Sequence, residues 1–154
     1  MKSLGCVLLI LLSCSCSQEK EGAQQLNSFE KYFSNFPSSP FLNLSFNQPL
    51  IGQKKLLTDQ GFEFDDETFG KNPEGVELFL GQTEKLLSLK VLFFDQNEHD
   101  FKKKTTFFKE KSTKSNISDQ FATFDFETIE NRFSLTLFTY ESMIRMQFLL
   151  KSSH

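Results

Sequence analysis

Strand-like apolar runs recur along most of this chain, and they limit the folds that it can adopt. The runs cover residues 62–65, 76–80, 86–94, 121–128, 132–140 and 143–151. In the third run, one side of the strand carries Leu87, Leu89, Val91 and Phe93, because successive side chains of a strand point to opposite faces. The order of the runs predicts an antiparallel sheet with an apolar face.

The clearest predicted helix covers residues 49–60. Pro49 falls in the first turn, where its missing N–H costs little, and Asn47 is a good N-cap. The apolar stripe consists of Leu50, Ile51 and Leu57. Gly61 follows at the position where a left-handed C-cap is needed. We therefore expect Leu57 to be buried and Gly61 to have a positive φ.

Other local patterns are shorter. Phe29, Phe33 and Phe36 have helical spacing, and Pro37 would end that helix. Residues 41–46 alternate, which predicts a strand with inward-facing Leu42, Leu44 and Phe46. Residues 70–75 include Asn-Pro between two glycines and predict a loop.

The segment 95–114 has two interpretations. Acidic residues open it and lysines close it, which complements a helix dipole. Phe101, Thr105 and Phe108 fall on one helical face, whereas a strand through 101–108 is the alternative. The helix is favoured.

A helix followed by three strands therefore appears twice. The pattern Phe64-Asp65-x-Glu67-Thr68 recurs as Phe124-Asp125-x-Glu127-Thr128. The implied fold is α+β, with helices packed on one face of an antiparallel sheet and a tandem repeat of helix plus three strands. This layout resembles the tandem helix-plus-sheet modules of small envelope lipoproteins and secreted enzyme inhibitors.

The N-terminus has the pattern of an export signal. Lys2 precedes an uncharged apolar run at residues 4–12, which is too short to span a bilayer and fits a signal-peptide core. Leu11-Leu12-Ser13-Cys14 resembles the bacterial lipobox, and this resemblance implies diacylglycerol on the thiol of Cys14 and a fatty acyl group, such as palmitate, on its amine. Cys16 is the alternative lipidation site.

The same resemblance implies a cell-envelope protein. Serine follows either cysteine, and by resemblance to enterobacterial lipoproteins the lack of Asp there favours the outer membrane, on its periplasmic or surface face. We expect residues 1–13 to be the signal peptide, 14–27 the lipidated tether, and 28–152 one globular domain.

Composition restricts the chemistry of the mature chain. All three cysteines lie in or beside the signal, so the fold has no disulfide, thiolate metal site or cysteine nucleophile. The formal net charge of −3 disfavours sequence-independent nucleic-acid binding. The 20 phenylalanines indicate an AT-rich genome, with a greasy ligand pocket as the alternative.

Catalytic and metal-binding candidates are few. His99 lacks the partners of a Ser-His-Asp triad and is interpreted as a solvated residue at a helix start. Asp95, Asn97 and His99 match the start of a calcium loop, but Asp100 and Thr106 occupy its diagnostic Gly and Glu positions.

Two charged segments each have a structural and a functional interpretation. Asp65-Asp66-Glu67 is interpreted as a solvated strand end rather than as an acid–base group. Basic and aromatic residues are interleaved in Phe101-Lys102-Lys103-Lys104 and Phe107-Phe108-Lys109, which predicts core phenylalanines beneath a solvated face, with a patch for anionic lipid or polysaccharide as the alternative.

We therefore expect neither catalytic residues nor a metal or other cofactor. The favoured function is a non-enzymatic binding lipoprotein, either of the immunity or inhibitor type or an accessory subunit, with a protein partner and a lipid-anchored membrane contact. The alternative is a carrier of a lipid or other apolar ligand. A packed core with an exposed apolar patch would favour the binding module.

Overall fold

The computed structural model describes residues 29–94, 98–141 and 143–152. Its helices are α1, described at residues 29–32, α2 (Leu50–Asp59) and α3 (Glu98–Lys111). The strands are β1 (Glu63–Phe64), β2 (Phe69–Lys71), β3 (Glu77–Leu80), β4 (Ser88–Phe94), β5 (Lys114–Ile117), β6 (Phe121–Glu127), β7 (Arg132–Tyr140) and β8 (Met143–Leu150). The predicted signal peptide, Cys14 and the tether lie outside the described residues.

The eight strands form one antiparallel sheet in the order β1-β2-β3-β4-β8-β7-β6-β5. Each half of the sheet is a meander in which strands adjacent in sequence pair with each other. The two meanders meet where β4 pairs with β8, with Val91 opposite Met146. The expected combination of helices with an antiparallel sheet is confirmed, and the described structure is mostly sheet.

Alternation along the strands gives the sheet an apolar inner face. In β4 this face carries Leu89, Val91 and Phe93, and their partners in β8 are Phe148, Met146 and Ile144. All six side chains are buried. The residues between them point to the opposite side, which we call the outer face.

Phenylalanine rings fill much of the space beside the inner face. Phe108 of α3 lies with its ring centroid 5.8 Å from that of Phe124 in β6. Phe36, which follows α1, lies 5.1 Å from Phe108 and 4.7 Å from Phe126. Close edge-to-face pairs of this kind add to the stability given by burial. The abundant phenylalanines are therefore largely core residues.

The predicted helix 49–60 is present as α2, but its start differs from the expectation. Pro49 takes the N-cap position without a side-chain hydrogen bond, and Asn47 has a φ of +60° in the preceding turn. Leu57 is fully buried and Gly61 has a φ of +91°, as expected. Ile51 is 82% exposed, so the prediction that it belongs to the buried apolar stripe of this helix was wrong.

One strand prediction and part of one loop prediction were wrong. Residues 41–46 form turns rather than a strand, and Leu42 and Asn43 have positive φ, which breaks the extended path. Phe41 is therefore buried together with Leu42 and Leu44. Within the predicted loop 70–75, the first two residues belong to β2.

Two further predictions concern where strands and helices lie. Leu87 precedes β4 and is 37% exposed, so it does not share the face of Leu89. The helical interpretation of 95–114 is confirmed by α3, and Phe101, Thr105 and Phe108 are buried on it. The exposed edge strand β5 was not predicted, because Lys114–Ile117 has no apolar alternation.

The expected count of three strands after each helix was wrong. Four strands follow α2 and four follow α3. The repeated Phe-Asp-x-Glu-Thr pattern also falls at different places, since Phe64 ends the first strand of one meander and Phe124 lies within the second strand of the other. The pattern therefore does not mark equivalent positions.

Candidate functional site

Of the candidate calcium-loop residues Asp95, Asn97 and His99, only His99, which is also the triad candidate, lies among the described residues. His99 is exposed in the first turn of α3, and Asp95 and Asn97 lie outside the described residues. Within the part of the chain that the structure describes, no group of three His, Cys, Asp or Glu side chains could hold a metal ion.

The Asp65–Glu67 segment forms the bend between β1 and β2. Asp66 Oδ1 accepts hydrogen bonds from the backbone N–H groups of Thr68 at 2.6 Å and Phe69 at 2.7 Å. These two backbone donors lower the pKa of the Asp66 carboxyl group. The carboxylate thus stabilises a turn, which is a structural role.

The segment of interleaved lysines and phenylalanines at residues 101–109 contributes side chains to both the core and the surface. Phe101 and Phe108 are buried, whereas Lys102 and Lys103 are exposed. Lys104 is the exception, since only 8% of it is exposed and its Nζ lies 5.0 Å from the ring centroid of Phe29. Burial lowers the pKa of this amine to about 8.

Among the depressions on the surface of the described residues are two grooves, and neither of them is an enclosed cavity. The larger, of about 560 Å³, is lined by Leu50, Glu67, Thr68, Gln82, Thr83 and Glu84. The smaller, of about 270 Å³, is lined by Phe79, Leu80, Gly81, Ser88 and Lys90. Both are open to solvent, so they have the form of surface grooves.

The outer face of the sheet carries a contiguous group of apolar side chains around one arginine. Four strands place Leu92, Arg145, Phe138 and Phe121 opposite one another in a single row. The next row along the strands consists of Phe94, Met143 and Tyr140. We call these seven residues the outer patch. Three of its rings are substantially exposed, with Phe94 at 38%, Phe121 at 44% and Tyr140 at 57%.

Arg145 lies within the outer patch, against two aromatic rings. Its guanidinium carbon is 5.8 Å from the ring centroid of Phe138 and 5.7 Å from that of Tyr140. These distances are in the range of cation–π contacts. Its Nε is shielded from solvent and has no hydrogen-bond partner among the described residues. The guanidinium group therefore contacts the rings without a described acceptor for this donor.

Elsewhere on the outer face, acidic and basic residues pair with each other. Lys71 lies 3.2 Å from Glu77, Arg132 lies 2.7 Å from Glu127, and Lys151, just after β8, reaches Asp125 at 2.6 Å. These three acids are thus already bonded. Among the described residues, no ion pair forms with Arg145 or Lys90.

Sequence analysis missed the outer patch because it explained the abundance of phenylalanine by genome composition or a ligand pocket and did not assign the rings to the two faces of the sheet. The usable signal is parity along each strand. Phe121 and the buried Phe124 are three positions apart in β6. Because this offset is odd, the two rings must point to opposite faces. Phe138 and the buried Leu137 differ in the same way.

No protein-family model, characterised protein or solved structure matches the chain. None of the described helices is both long enough and apolar enough to cross a membrane.

Proposed function

We propose that this protein is a non-enzymatic binding module of the cell envelope, anchored to a membrane through a lipid on Cys14, and that its outer patch contacts a protein partner. The observation that carries the proposal is the exposure of Phe94, Phe121 and Tyr140 around Arg145. Aromatic residues and arginine are enriched at protein interfaces and among the residues that dominate binding energy.

The proposal includes a finer arrangement of the fold. The helices cover the inner face, where Phe108 of α3 contacts Phe124 and Phe126. The opposite face then remains for the partner. The order of one helix and four strands, found twice, supports a tandem duplication with β4 and β8 as corresponding strands.

The packing of the interior favours a binding module over a carrier of an apolar ligand. Phe33 contacts the rings of Phe36, Phe41 and Phe108 at centroid distances between 5.4 and 5.9 Å. A carrier needs an apolar cavity, whereas rings in contact leave their mutual space filled.

The non-enzymatic part of the proposal depends on what the candidate catalytic groups do. The carboxylate of Asp66 holds a bend through backbone hydrogen bonds, and His99 is exposed on α3. A general acid or base needs a reacting partner within hydrogen-bond reach in a shielded site. Asp66 serves local structure instead, and the exposed position of His99 is not a shielded site.

The proposed anchor limits where the partner is found. A tether over residues 14–27 spans at most about 50 Å when fully extended. The partner is therefore an envelope protein or a secreted protein that approaches the membrane. An immunity or inhibitor protein and an accessory subunit of an envelope complex both meet this condition.

Site-specific photo-crosslinking in the native host tests the proposal. A benzoylphenylalanine at Tyr140 samples the outer patch, and one at the fully exposed Ile129, in the turn between β6 and β7, is the matched control. The expected result is a discrete protein adduct from Tyr140 that Ile129 does not give. Equal adducts from both positions, or none from Tyr140, would contradict the proposal.

A further inference from the structure

The outer patch contains a positive group, Arg145, with which none of the described residues forms an ion pair. Arg145 faces Leu92 on one side and Phe138 on the other, and neither can accept a hydrogen bond from it. Glu77 lies two strands away in the same row and is already bonded to Lys71. The positive charge is therefore available to a group that arrives from outside.

The geometry of this arginine suits a carboxylate. A guanidinium group has five N–H donors in a fixed planar fork, and it matches a carboxylate with two parallel hydrogen bonds. Contact with the rings of Phe138 and Tyr140 restrains the side chain before binding, so less conformational entropy is lost when an acceptor arrives. No described residue accepts a hydrogen bond from the Nε of this arginine, which is shielded from solvent.

The charges also argue against a second copy of this chain as the occupant. A symmetric dimer formed through the centre of the outer patch would bring Arg145 close to Arg145 of the other copy. Lys90, on the same face, would add further like charge. Like charges placed opposite each other disfavour an interface, whereas an acidic partner complements both residues.

We propose that the outer patch receives an acidic, apolar segment of a protein partner, with one Asp or Glu carboxylate on Arg145 and apolar side chains against Phe121 and Tyr140. This inference rests on the proposed binding function and adds the chemistry of the partner. Leu92 and Phe138 flank Arg145 in its row and Met143 lies next to it along β8, so the residues of the segment that contact this side are apolar too.

Selection from a library of random displayed dodecapeptides tests the inference, with the full chain in neutral detergent as the target. The expected binders contain Asp or Glu flanked by apolar residues. Changing Arg145→Gln should weaken the selected peptides by about tenfold or more, because a charged hydrogen-bond pair is lost. Changing Lys55→Gln removes the same charge from an exposed position on α2 and should leave affinity unchanged.

Other results would overturn the inference. These are a selection without acidic enrichment, or peptides that bind Arg145→Gln as well as the unchanged protein. Binding of phosphatidylcholine–phosphatidylglycerol vesicles that Arg145→Gln abolishes, without any acidic peptide, would instead assign the patch to a membrane surface. If Arg145→Gln does not fold, Tyr140→Ser carries the same expectation, because it removes one ring from the patch.

The two proposals fail in distinguishable ways. A protein adduct at Tyr140 with no acidic preference among the peptides would retain the binding module and overturn the carboxylate on Arg145. The absence of both results would overturn both proposals.

Discussion

Tyr32 donates a hydrogen bond from its buried hydroxyl group to the carboxylate of Glu74, which lies 42 residues further along the chain. The same hydroxyl oxygen accepts a hydrogen bond of 2.9 Å from Asn72 Nδ2, and Asn72 Oδ1 accepts one from the backbone N–H of Val76. Burial and the Glu74 carboxylate raise the pKa of Tyr32 above its usual range. This network connects the end of α1 to the turn between β2 and β3.

Removal of the Tyr32 hydroxyl group should therefore weaken the folded state. Tyr32→Phe keeps the ring but leaves the buried Asn72 amide without its acceptor, and the expected loss is about 1–3 kcal/mol. Urea unfolding of the full chain measures it. Lys31→Ala is the control, since the Lys31–Glu74 pair is exposed and 3.8 Å apart, and it should lose less than about 1 kcal/mol. Equal losses would exclude a special role for the hydroxyl group.

Two apolar residues of α2 should differ sharply in their contribution to stability. Leu57 is fully buried, so Leu57→Ala should lower the free energy of unfolding by about 2–5 kcal/mol. Ile51 is 82% exposed on the same helix, so Ile51→Ala should change it by less than about 0.5 kcal/mol. Urea melts decide the matter. A harmless Leu57→Ala would mean that α2 does not bury this side chain in solution.

Replacing Gly52 or Gly61 with alanine should change the stability of the fold in opposite directions. An added Cβ would meet no atom within 4 Å at either Gly52 or Gly61. Gly61 has a φ of +91°, so Gly61→Ala should destabilise the fold by about 1 kcal/mol through backbone strain. Gly52 lies within α2, where alanine should stabilise by about 0.5–1 kcal/mol. Thermal unfolding of both variants would reveal the difference, and shifts of the same sign would contradict it.

Sequence analysis predicted the strands best where alternation was long and turns were simple. The run 132–140 coincides with β7, and 121–128 and 143–151 each differ by one residue from the strand. It failed at residues 41–46, because left-handed turns at Leu42 and Asn43 place the buried side chains there, and leucine rarely adopts a positive φ. It also missed β5, whose pairing with β6 uses backbone hydrogen bonds rather than apolar side chains.

The outer patch was harder to predict than the core for a physical reason. Burial selects one parity of residues along each strand, but apolar residues such as Leu92 and Phe94 also occupy the other parity. Composition cannot separate the apolar residues of the inner face from those of the outer face. The position of Arg145 between Leu92 and Phe138 depends on the register of β4, β8 and β7, which is a long-range property of the sheet.

The proposed anchor gives a prediction independent of the fold. Cys14→Ser should abolish labelling by a palmitate analogue and release the protein from the membrane fraction, because the thiol is the attachment atom. Cys16→Ser removes the neighbouring thiol and should do neither. Full labelling of the Cys14→Ser variant would move lipidation to Cys16 or remove the lipoprotein interpretation.

Lys104 should make stability depend on pH in the alkaline range. Burial lowers the pKa of its amine to about 8 from an ordinary value of 10.5, against the opposing effect of Asp100. Below about pH 8 the amine is charged in the folded and unfolded states, so the burial penalty is fully present. Between about pH 8 and 10.5 the unfolded chain binds more protons, and the free energy of unfolding attributable to Lys104 rises with pH.

The comparison of two methionine variants isolates this effect from other groups that titrate above neutral pH. Urea unfolding at intervals from pH 7 to pH 10 gives the free energy of unfolding of the unchanged protein and of Lys104→Met. The value for the unchanged protein minus that for the variant should rise across the upper part of this pH range. Lys102 is exposed on the same helix, so the corresponding difference for Lys102→Met should stay flat. If the two difference curves were parallel, the Lys104 amine would be solvated in the folded protein, and its contact with the ring of Phe29 would not shield it from water.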